Sequence, residues 1–388
     1  MIGDVVELEI GPIAHGGHCV ARLDGRVVFV RHTLPGEQVR ARITEGSAEA
    51  RFLRADAIEV VTAAQGRVES RCGYAGPGGC GGCDFQHVDL ATQRQLLGDV
   101  VAEQLRRLAG IESDVTVEAV DDGDGLGWRT RVAWAVDSQG RTGLRKHRSH
   151  DVVAIERCPI AHPDMPDVSE ESWAAERVDT IVSSTGDSIV IADEEVVRGR
   201  RRARENVRGR QFRVSGAGFW QVHPRAAETL VDAVMTMLRP QPSERIADLY
   251  AGVGLFTAFI AEAVGQDGSV VSVESEAGAV RDARRNLHDL PHARIVGDRV
   301  ERALRSGAVG KCDAVVLDPP RSGAKARVVR AVAASGADRV VYVACDPAAL
   351  ARDVASFAEH GYALEDLRAF ALFPMTHHVE CVGLLRRT

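Results

Sequence analysis

DLYAGVGLFTAFIAE, running from Asp248 to Glu262, is the stretch whose reading decides the fold. Its start closes an apolar run, RIADLY, and its end has the pattern of a helix; Gly252 and Gly254 between them allow a tight turn and close approach of backbone to a ligand. Outward from it, short apolar runs alternate with helical segments. SVVSVE (269–274), ARIVGD (293–298), CDAVVLD (312–318) and RVVYVAC (339–345) come next, and YALEDLRAFALF (362–373) and HHVECVGLL (377–385) close the chain. Five strand-helix units followed by two closing strands predict an α/β doubly wound, Rossmann-like sheet. Ligands on such sheets lie at the carboxyl ends of the strands, so the residues that end each run become the candidates.

Three of those ends carry acids. Asp248 ends the first run, Glu274 ends the second at a distance that suits ribose hydroxyls, and Asp298 ends the third, where an adenine amino group would be met. Tyr250 sits in the same loop as the glycines. A dinucleotide would need the third glycine of G-x-G-x-x-G, and Thr257 stands there instead. A nucleoside without phosphates fits better, and S-adenosylmethionine is such a molecule.

The fourth run ends in LDPPRSG (Leu317 to Gly323) and the fifth in VACDPAALARD (Val343 to Asp353). Asp346 and Pro347 stop the strand and start a helix, so the Cys345 thiol is expected near a helix N-terminus that favours its thiolate. A thiolate suits one particular reaction. Carbon 5 of uracil is too weak a nucleophile to take a methyl directly, but addition of sulfur to carbon 6 makes it an enolate carbon; a base must then remove the carbon 5 proton to expel the sulfur. Glu380, in an otherwise apolar strand, is the candidate base, with an ordinary ion-paired glutamate as the competing reading. Cys345 has its own competitor, a small buried hydrophobe such as Cys19, Cys312 and Cys381 are expected to be.

Residues 1–62 alternate as short strands divided by Gly, Asp-Gly and Pro-Gly turns, which predicts a small OB-like barrel of the kind that binds single-stranded nucleic acid. From Gln65 to Cys83 the chain is Gly-rich and neither helix nor regular strand, and a helix is expected from Leu90 to Leu108. Strand-like pieces then run to about Val214, so residues 63–212 form a central α+β domain and 213–388 the doubly wound one. Cys72, Cys80 and Cys83, with distant Cys158, offer four soft ligands that suit zinc or an iron–sulfur cluster equally on chemistry alone.

The formal net charge of −7 counts against a nucleic-acid binder, yet eight arginines lie between Arg198 and Arg213 against the single acid Glu205. A solvated loop is the bland reading of that run and a local RNA-binding field the sharper one. No apolar stretch is long enough to cross a membrane and the N-terminus lacks the basic and apolar regions of a signal peptide, so a cytoplasmic location is expected.

The motifs FWQVH (219–223), DLYAGVGLF, DPPRSG, ACDPAALARD and FPMTHHVE (373–380), taken in order, resemble those of the RNA 5-methyluridine methyltransferase family. The resemblance implies that Cys345 is the nucleophile and Glu380 the base, that Gln221 and Asp318 position the pyrimidine and S-adenosylmethionine, that Arg321 supports them, and that Phe219 packs by the base. His223, Ala344 and Asp346 depart from the family's Asn, Ser and Asn. Larger members are similar in having an N-terminal TRAM barrel and a [4Fe–4S] site, with Cys158 here in a matching ERCPI context; seven residues separate Cys72 from Cys80 where the family has five. Barrel and cysteines together imply the 23S rRNA branch, acting as a monomer without membrane attachment. The alternatives are a tRNA 5-methyluridine methyltransferase and a non-catalytic iron–sulfur RNA-binding factor. A 5-methylcytosine enzyme is disfavoured because that class resembles D-A-P-C-S-G where this chain has DPPRSG.

Overall fold

The computed structural model describes residues 2–388. Period-two alternation over the first segment folds as β1 (Val5–Glu9), β2 (Ile13–Ala14), β3 (His18–Leu23), β4 (Arg26–Arg31), β5 (Gln38–Glu45) and β6 (Phe52–Thr62). They lie in the order β1-β5-β6-β4-β3-β2, with β4 and β6 parallel and the other neighbours antiparallel. Register shifts between β5 and β6 curl the sheet, and Leu8, Val28, Val30, Val39, Ile43 and Leu53 fill it. The expected barrel is thus present. Glu37 latches the chain leaving it: the fully buried carboxylate accepts from the backbone of Leu34 at 2.8 Å and Ala64 at 3.2 Å and from Arg67 Nη2 at 2.7 Å.

Beyond the latch the Gly-rich segment has no strand, as expected, and isolated bridges tie Arg67 to Val88 and Cys80 to Lys146. Helix α1 (Leu90–Ala109) opens on Asp89, whose side chain accepts from Thr92 N at 2.9 Å, and stops at Gly110 with φ of 68°. After the two-residue strand β7 (Val117–Glu118) come β8 (Arg131–Val136), β9 (Thr142–Arg145), β10 (Val152–Ala154), β11 (Arg177–Val182), β12 (Ser188–Ala192) and β13 (Glu195–Arg198), an antiparallel sheet in the order β10-β9-β8-β11-β12-β13.

The arginine run corrects both expectations for it. It folds as a hairpin of β14 (Arg202–Val207) and β15 (Arg210–Ser215), and five of its eight arginines are taken up by acids: Arg198 by Glu171, Arg202 by Asp282, Arg204 by Asp187, Arg208 by Asp232, and Arg210 by Glu262 and Asp289. Paired guanidinium groups have little field left for phosphate, so the run serves chiefly to dock the hairpin.

The rest of the chain alternates as the sequence predicts: α2 (Ala226–Leu238), β16 (Arg245–Leu249), α3 (Leu255–Val264), β17 (Ser269–Glu274), α4 (Ala277–Asn286), β18 (Ala293–Gly297), α5 (Val300–Arg305), β19 (Ala314–Leu317), α6 (Lys325–Ser335), β20 (Arg339–Ala344), α7 (Pro347–Ala358), β21 (Tyr362–Phe370) and β22 (Glu380–Arg387). The sheet runs β18-β17-β16-β19-β20-β22-β21-β7, parallel from β18 to β20 and antiparallel at β22. Strand order reverses between β16 and β19, which opens a crevice at their carboxyl ends. The unforeseen member is β7, which pairs in parallel with β21, while α1 packs on α7.

Removing the latch should loosen the barrel. Glu37→Ala leaves Arg67 without its buried partner and should destabilise the chain by about 3 kcal/mol in urea unfolding. A loss below about 0.5 kcal/mol, as at an ordinary surface site, would show that the latch contributes nothing.

Candidate active site

The donor crevice is built on Asp248. The end of β16 buries this residue completely, the Thr257 hydroxyl donates to its Oδ2 at 2.5 Å, and Ser272 Oγ lies 3.1 Å from that hydroxyl. Thr257, in place of the third glycine, therefore orients an acid. Burial pushes the Asp248 carboxyl up to about 6, with the Glu274 charge adding to the effect. Among the described residues, Asp248 Oδ1 is a buried oxygen without a hydrogen-bond partner, an acceptor at the floor of the crevice. Tyr250, Gly252 and Gly254 follow in left-handed conformations, with φ of 65°, 56° and 88°. At Gly252 a Cβ would meet nothing within 4 Å, so the turn faces open space.

Glu274 and Asp298 stand where expected but are engaged. Glu274 accepts from Gly252 N at 2.9 Å, Ser275 N at 2.6 Å and Glu276 N at 2.7 Å, and so shapes the turn. Asp298, one residue beyond β18, accepts from Arg299 N at 2.7 Å and lies 3.6 Å from Arg302.

The reacting centre lies across the crevice. Pairing of Ala344 with Cys381 ends the β20–β22 register, and one further step sets Cys345 against Glu380 at the same edge of the sheet. Asp318 reaches this edge from β19, its backbone N donating to Leu249 O at 3.2 Å. Burial, then the charge of Asp318, pushes the Glu380 carboxyl well above the usual range, while Arg321 opposes the rise. Asp318 is pushed up to about 7 by burial and by Asp248 and Glu274.

The expected thiolate is corrected in the same way. Burial raises the Cys345 thiol to about 11, Glu380 and Asp318 add to the rise, and Arg321 works against it. Its helix N-terminus gives little help because Asp346 already occupies it: that carboxylate accepts from Ala349 N at 2.7 Å and lies 3.1 Å from His15 Nε2 of the barrel. A negative cap cancels much of the positive helix end before it acts on sulfur.

Of the other expected site residues, Phe219 is 75 % exposed beside buried Trp220, and Gln221 is half-buried. His223, one of the three departures, is buried: its ring stacks on Trp128 with centroids 5.9 Å apart, and its Nδ1 accepts from Arg225 N at 3.1 Å. It anchors the loop before α2.

The shared TRAM pattern matches residues 1–58, and that of tRNA (Uracil-5-)-methyltransferase matches residues 298–388, which include Arg321, Cys345 and Glu380. The pattern of protein-L-isoaspartate(D-aspartate) O-methyltransferase matches 223–309, around the donor crevice. An uncharacterized RNA methyltransferase of Streptomyces avermitilis is 47% identical over 99% of this chain and 98% of its own length, and one of Bifidobacterium longum is 38% identical over 98% and 96%. The chain belongs to the RNA (uracil-5-)-methyltransferase family. In fold it is similar to the tRNA (uracil-54, C5)-methyltransferase of Pyrococcus abyssi, solved with S-adenosyl-L-homocysteine, at a TM-score of 0.72 and 22% identity over 97% of this chain and 99% of that one.

The cysteines of this family member also come together. Cys72, Cys80, Cys83 and Cys158 line one cavity with Tyr74 and Ile160, all four buried and free of disulfides. Gly82 N points at Cys80 Sγ at 3.3 Å and Gln86 Nε2 at Cys83 Sγ at 3.5 Å, contacts that favour electron-rich sulfur. Among the described residues, no three His, Cys, Asp or Glu side chains meet in a geometry that would close on a metal ion.

Other working residues escaped the sequence reading. Asp353 of α7 accepts from Ala324 N at 2.6 Å, Lys325 N at 3.1 Å and the Tyr342 hydroxyl at 2.5 Å, which pins the loop carrying Arg321. The signal was a lone acid on the apolar face of that helix. His378 accepts from Arg321 Nη2 at 3.2 Å, and its signal was only its neighbourhood to Glu380.

Alkylation of Cys345 by iodoacetamide, followed by mass spectrometry of its peptide, should accelerate with pH up to a midpoint near 11 in the free protein. Glu380→Gln removes a carboxylate that raises this value and should move the midpoint down; Arg321→Ala removes the opposing cation and should move it up. A midpoint near the ordinary 8.5 of a cysteine in wild type would contradict the electrostatics described above.

Proposed function

We propose that this chain transfers the methyl group of S-adenosylmethionine to carbon 5 of a uridine in RNA, with Cys345 as nucleophile and Glu380 as base. The observation that carries the reading is the opposition of Cys345 and Glu380 across β20 and β22, with Arg321 acting on both. In this reading residues 1–62 and 63–212 hold RNA and cysteines, and 213–388 carry the chemistry.

S-adenosylmethionine supplies an electrophilic methyl on a sulfonium. The crevice suits it: Asp248 and Asp318 offer carboxylates, and Thr257 stands where the third glycine of the dinucleotide pattern would be. Cys345 Sγ, once deprotonated, bonds to carbon 6 of the uracil and drives the ring electrons to carbon 5, which forms the new carbon–methyl bond as the methyl's bond to the sulfonium breaks and its electron pair stays on the departing thioether sulfur. Glu380 as carboxylate then takes the carbon 5 proton, the carbon 5–carbon 6 double bond re-forms, and sulfur leaves. Its raised proton affinity makes it the stronger base for that step. Arg321 favours both the thiolate and the carboxylate, the forms the reaction uses.

RNA binding finds support in the barrel. Between it and the turn after β9 a cleft is lined by Phe29, Arg31, Arg54, Lys146, His147 and Arg148, and Arg54 stacks on Phe29 and Phe52 at 5.4 and 5.3 Å. Aromatic faces and cations in one groove suit single-stranded RNA, and exposed Phe219 suits a flipped base. We assign 23S rRNA as the substrate from the combination of barrel and four cysteines. The match to a family described for tRNA favours a tRNA uridine as the second reading.

We assign a [4Fe–4S] cluster to Cys72, Cys80, Cys83 and Cys158 because their four soft thiols line one cavity, although among the described residues no three of them stand close enough to close on a metal ion as they are. When bound, it would cross-link the Gly-rich segment to the loop after β10.

With labelled S-adenosylmethionine and RNA from a strain deleted for the gene, the wild-type chain should label 5-methyluridine in the 23S fraction. Cys345→Ala should abolish product and adduct, and Glu380→Gln should accumulate a covalent protein–RNA band on a denaturing gel. Product at wild-type rate from Cys345→Ala would end the proposal, and label confined to tRNA would select the second reading. Anaerobically purified protein should contain iron and acid-labile sulfide in equal amounts; stoichiometric zinc without sulfide would overturn the cluster.

A further inference from the structure

The loop from Ala371 to Val379, which delivers Glu380, is held by the N-terminal half of the chain. Asp84 N and Phe85 N both donate to Met375 O, at 2.9 and 3.0 Å, and Gln93 Oε1 accepts from Met375 N at 2.9 Å. Asp84 Oδ2 accepts twice from His377, from the backbone N at 3.2 Å and from ring Nδ1 at 2.6 Å. Arg31 of the barrel lies 3.7 Å from Asp84 Oδ1. Gly17, also of the barrel, has φ of 76°, and a Cβ there would fall 2.7 Å from His377 Cβ and 3.0 Å from Asp84 Cβ, so barrel backbone closes on the pair.

The contact continues toward the reacting centre. The His377 ring lies 4.1 Å, centroid to centroid, from that of His378. Burial, His377 and Arg321 push the His378 imidazole down to about 3, so it is neutral and able to accept the 3.2 Å hydrogen bond from Arg321. Arg321 is the cation that opposes the rise of both Cys345 and Glu380.

We infer that Asp84 and His378 are positioning residues for Arg321: Asp84 fixes His377, His377 packs His378 in place, and His378 orients the guanidinium. This rests on the proposed roles of Cys345 and Glu380. The segment that carries Cys83 thereby sets the electrostatics of a centre it does not touch, and a misplaced guanidinium slows both thiolate attack and proton removal.

The test uses the full chain, purified anaerobically, with RNA from the gene-deleted strain. Asp84→Ala and His378→Ala should each lower kcat about tenfold to a hundredfold, the cost of small misplacements, with the dissociation constant for S-adenosylmethionine unchanged. Independently of turnover, His378→Ala should move the alkylation midpoint of Cys345 up, as Arg321→Ala does, and the double variant should move it no further; the groups facing that thiol, Glu380, Asp318 and Asp346, are unaltered in all three. His378→Gln, whose amide oxygen can accept from Arg321, should restore most of the rate and the midpoint. A wild-type midpoint in His378→Ala, or shifts that add in the double variant, would overturn the inference, and so would a wild-type kcat in Asp84→Ala. Should Asp84→Ala fail to fold, the His378 series decides alone. Failure of the underlying reading looks different: wild type makes no 5-methyluridine, or Cys345→Ala retains turnover, whatever the alkylation cycle reports.

Discussion

Asp248, Asp318, Glu380 and the Cys345 thiol crowd the same edge of one sheet, and burial raises the proton affinity of every one of them. Burial and the mutual repulsion of neighbouring acids thus both oppose ionisation of these groups. Protons held there are a consequence of the fold. Arg321 is the cation acting against this at Cys345 and Glu380. A cationic sulfonium entering beside these groups lowers the cost of ionising them, so in the proposed reaction the donor and the nucleophile support one another.

Such a cluster demands a rigid frame, because small displacements of a charge in a poorly screened site change its effect more than they would in water. The frame is assembled from distant parts of the chain. Asp353 pins the Arg321 loop from α7, α1 packs on α7 from the other side, and β7 closes the edge of the sheet next to β21. His15 of the barrel reaches Asp346, the residue after Cys345. The barrel therefore bears on the reacting centre twice, through Asp346 and through the Asp84–His377 pair, which explains why its backbone approaches so closely at Gly17.

Much of this was legible in the residues and some was not, for physical reasons. Apolar runs of strand length punctuated by helices fix a doubly wound sheet, and the rule that ligands collect at strand ends singles out Asp248, Glu274, Asp298 and Cys345. Period two revealed the barrel. Two residues of β7 carry no period, so their place at the sheet edge could not be read. Nor could the partners of Asp84 or His378, which lie 293 and 57 residues away along the chain. Nor does a helix start reveal that burial and then Glu380 and Asp318 raise the Cys345 thiol, while Asp346, a departure from the family, caps that helix.

The arginine run teaches a related lesson about charge. Counted along the chain it is a basic patch; in space, Arg202 and Arg210 reach Asp282, Glu262 and Asp289 and bind the hairpin to the methyltransferase sheet. A guanidinium paired at hydrogen-bond distance attracts phosphate weakly, since its field is cancelled by the adjacent carboxylate. The cleft beside the barrel has acids too, with Arg54 3.3 Å and Arg148 3.5 Å from Glu45, Lys146 3.4 Å from Asp151 and Arg31 3.7 Å from Asp84, but Arg54 and Arg31, like Arg210 of the hairpin, each keep a buried guanidinium nitrogen without a hydrogen-bond partner. Donors that are dehydrated yet under-used gain more from an arriving anion than exposed, satisfied ones do. The net charge of −7 therefore does not by itself decide how an anion is met; what counts is which donors remain under-used where it arrives.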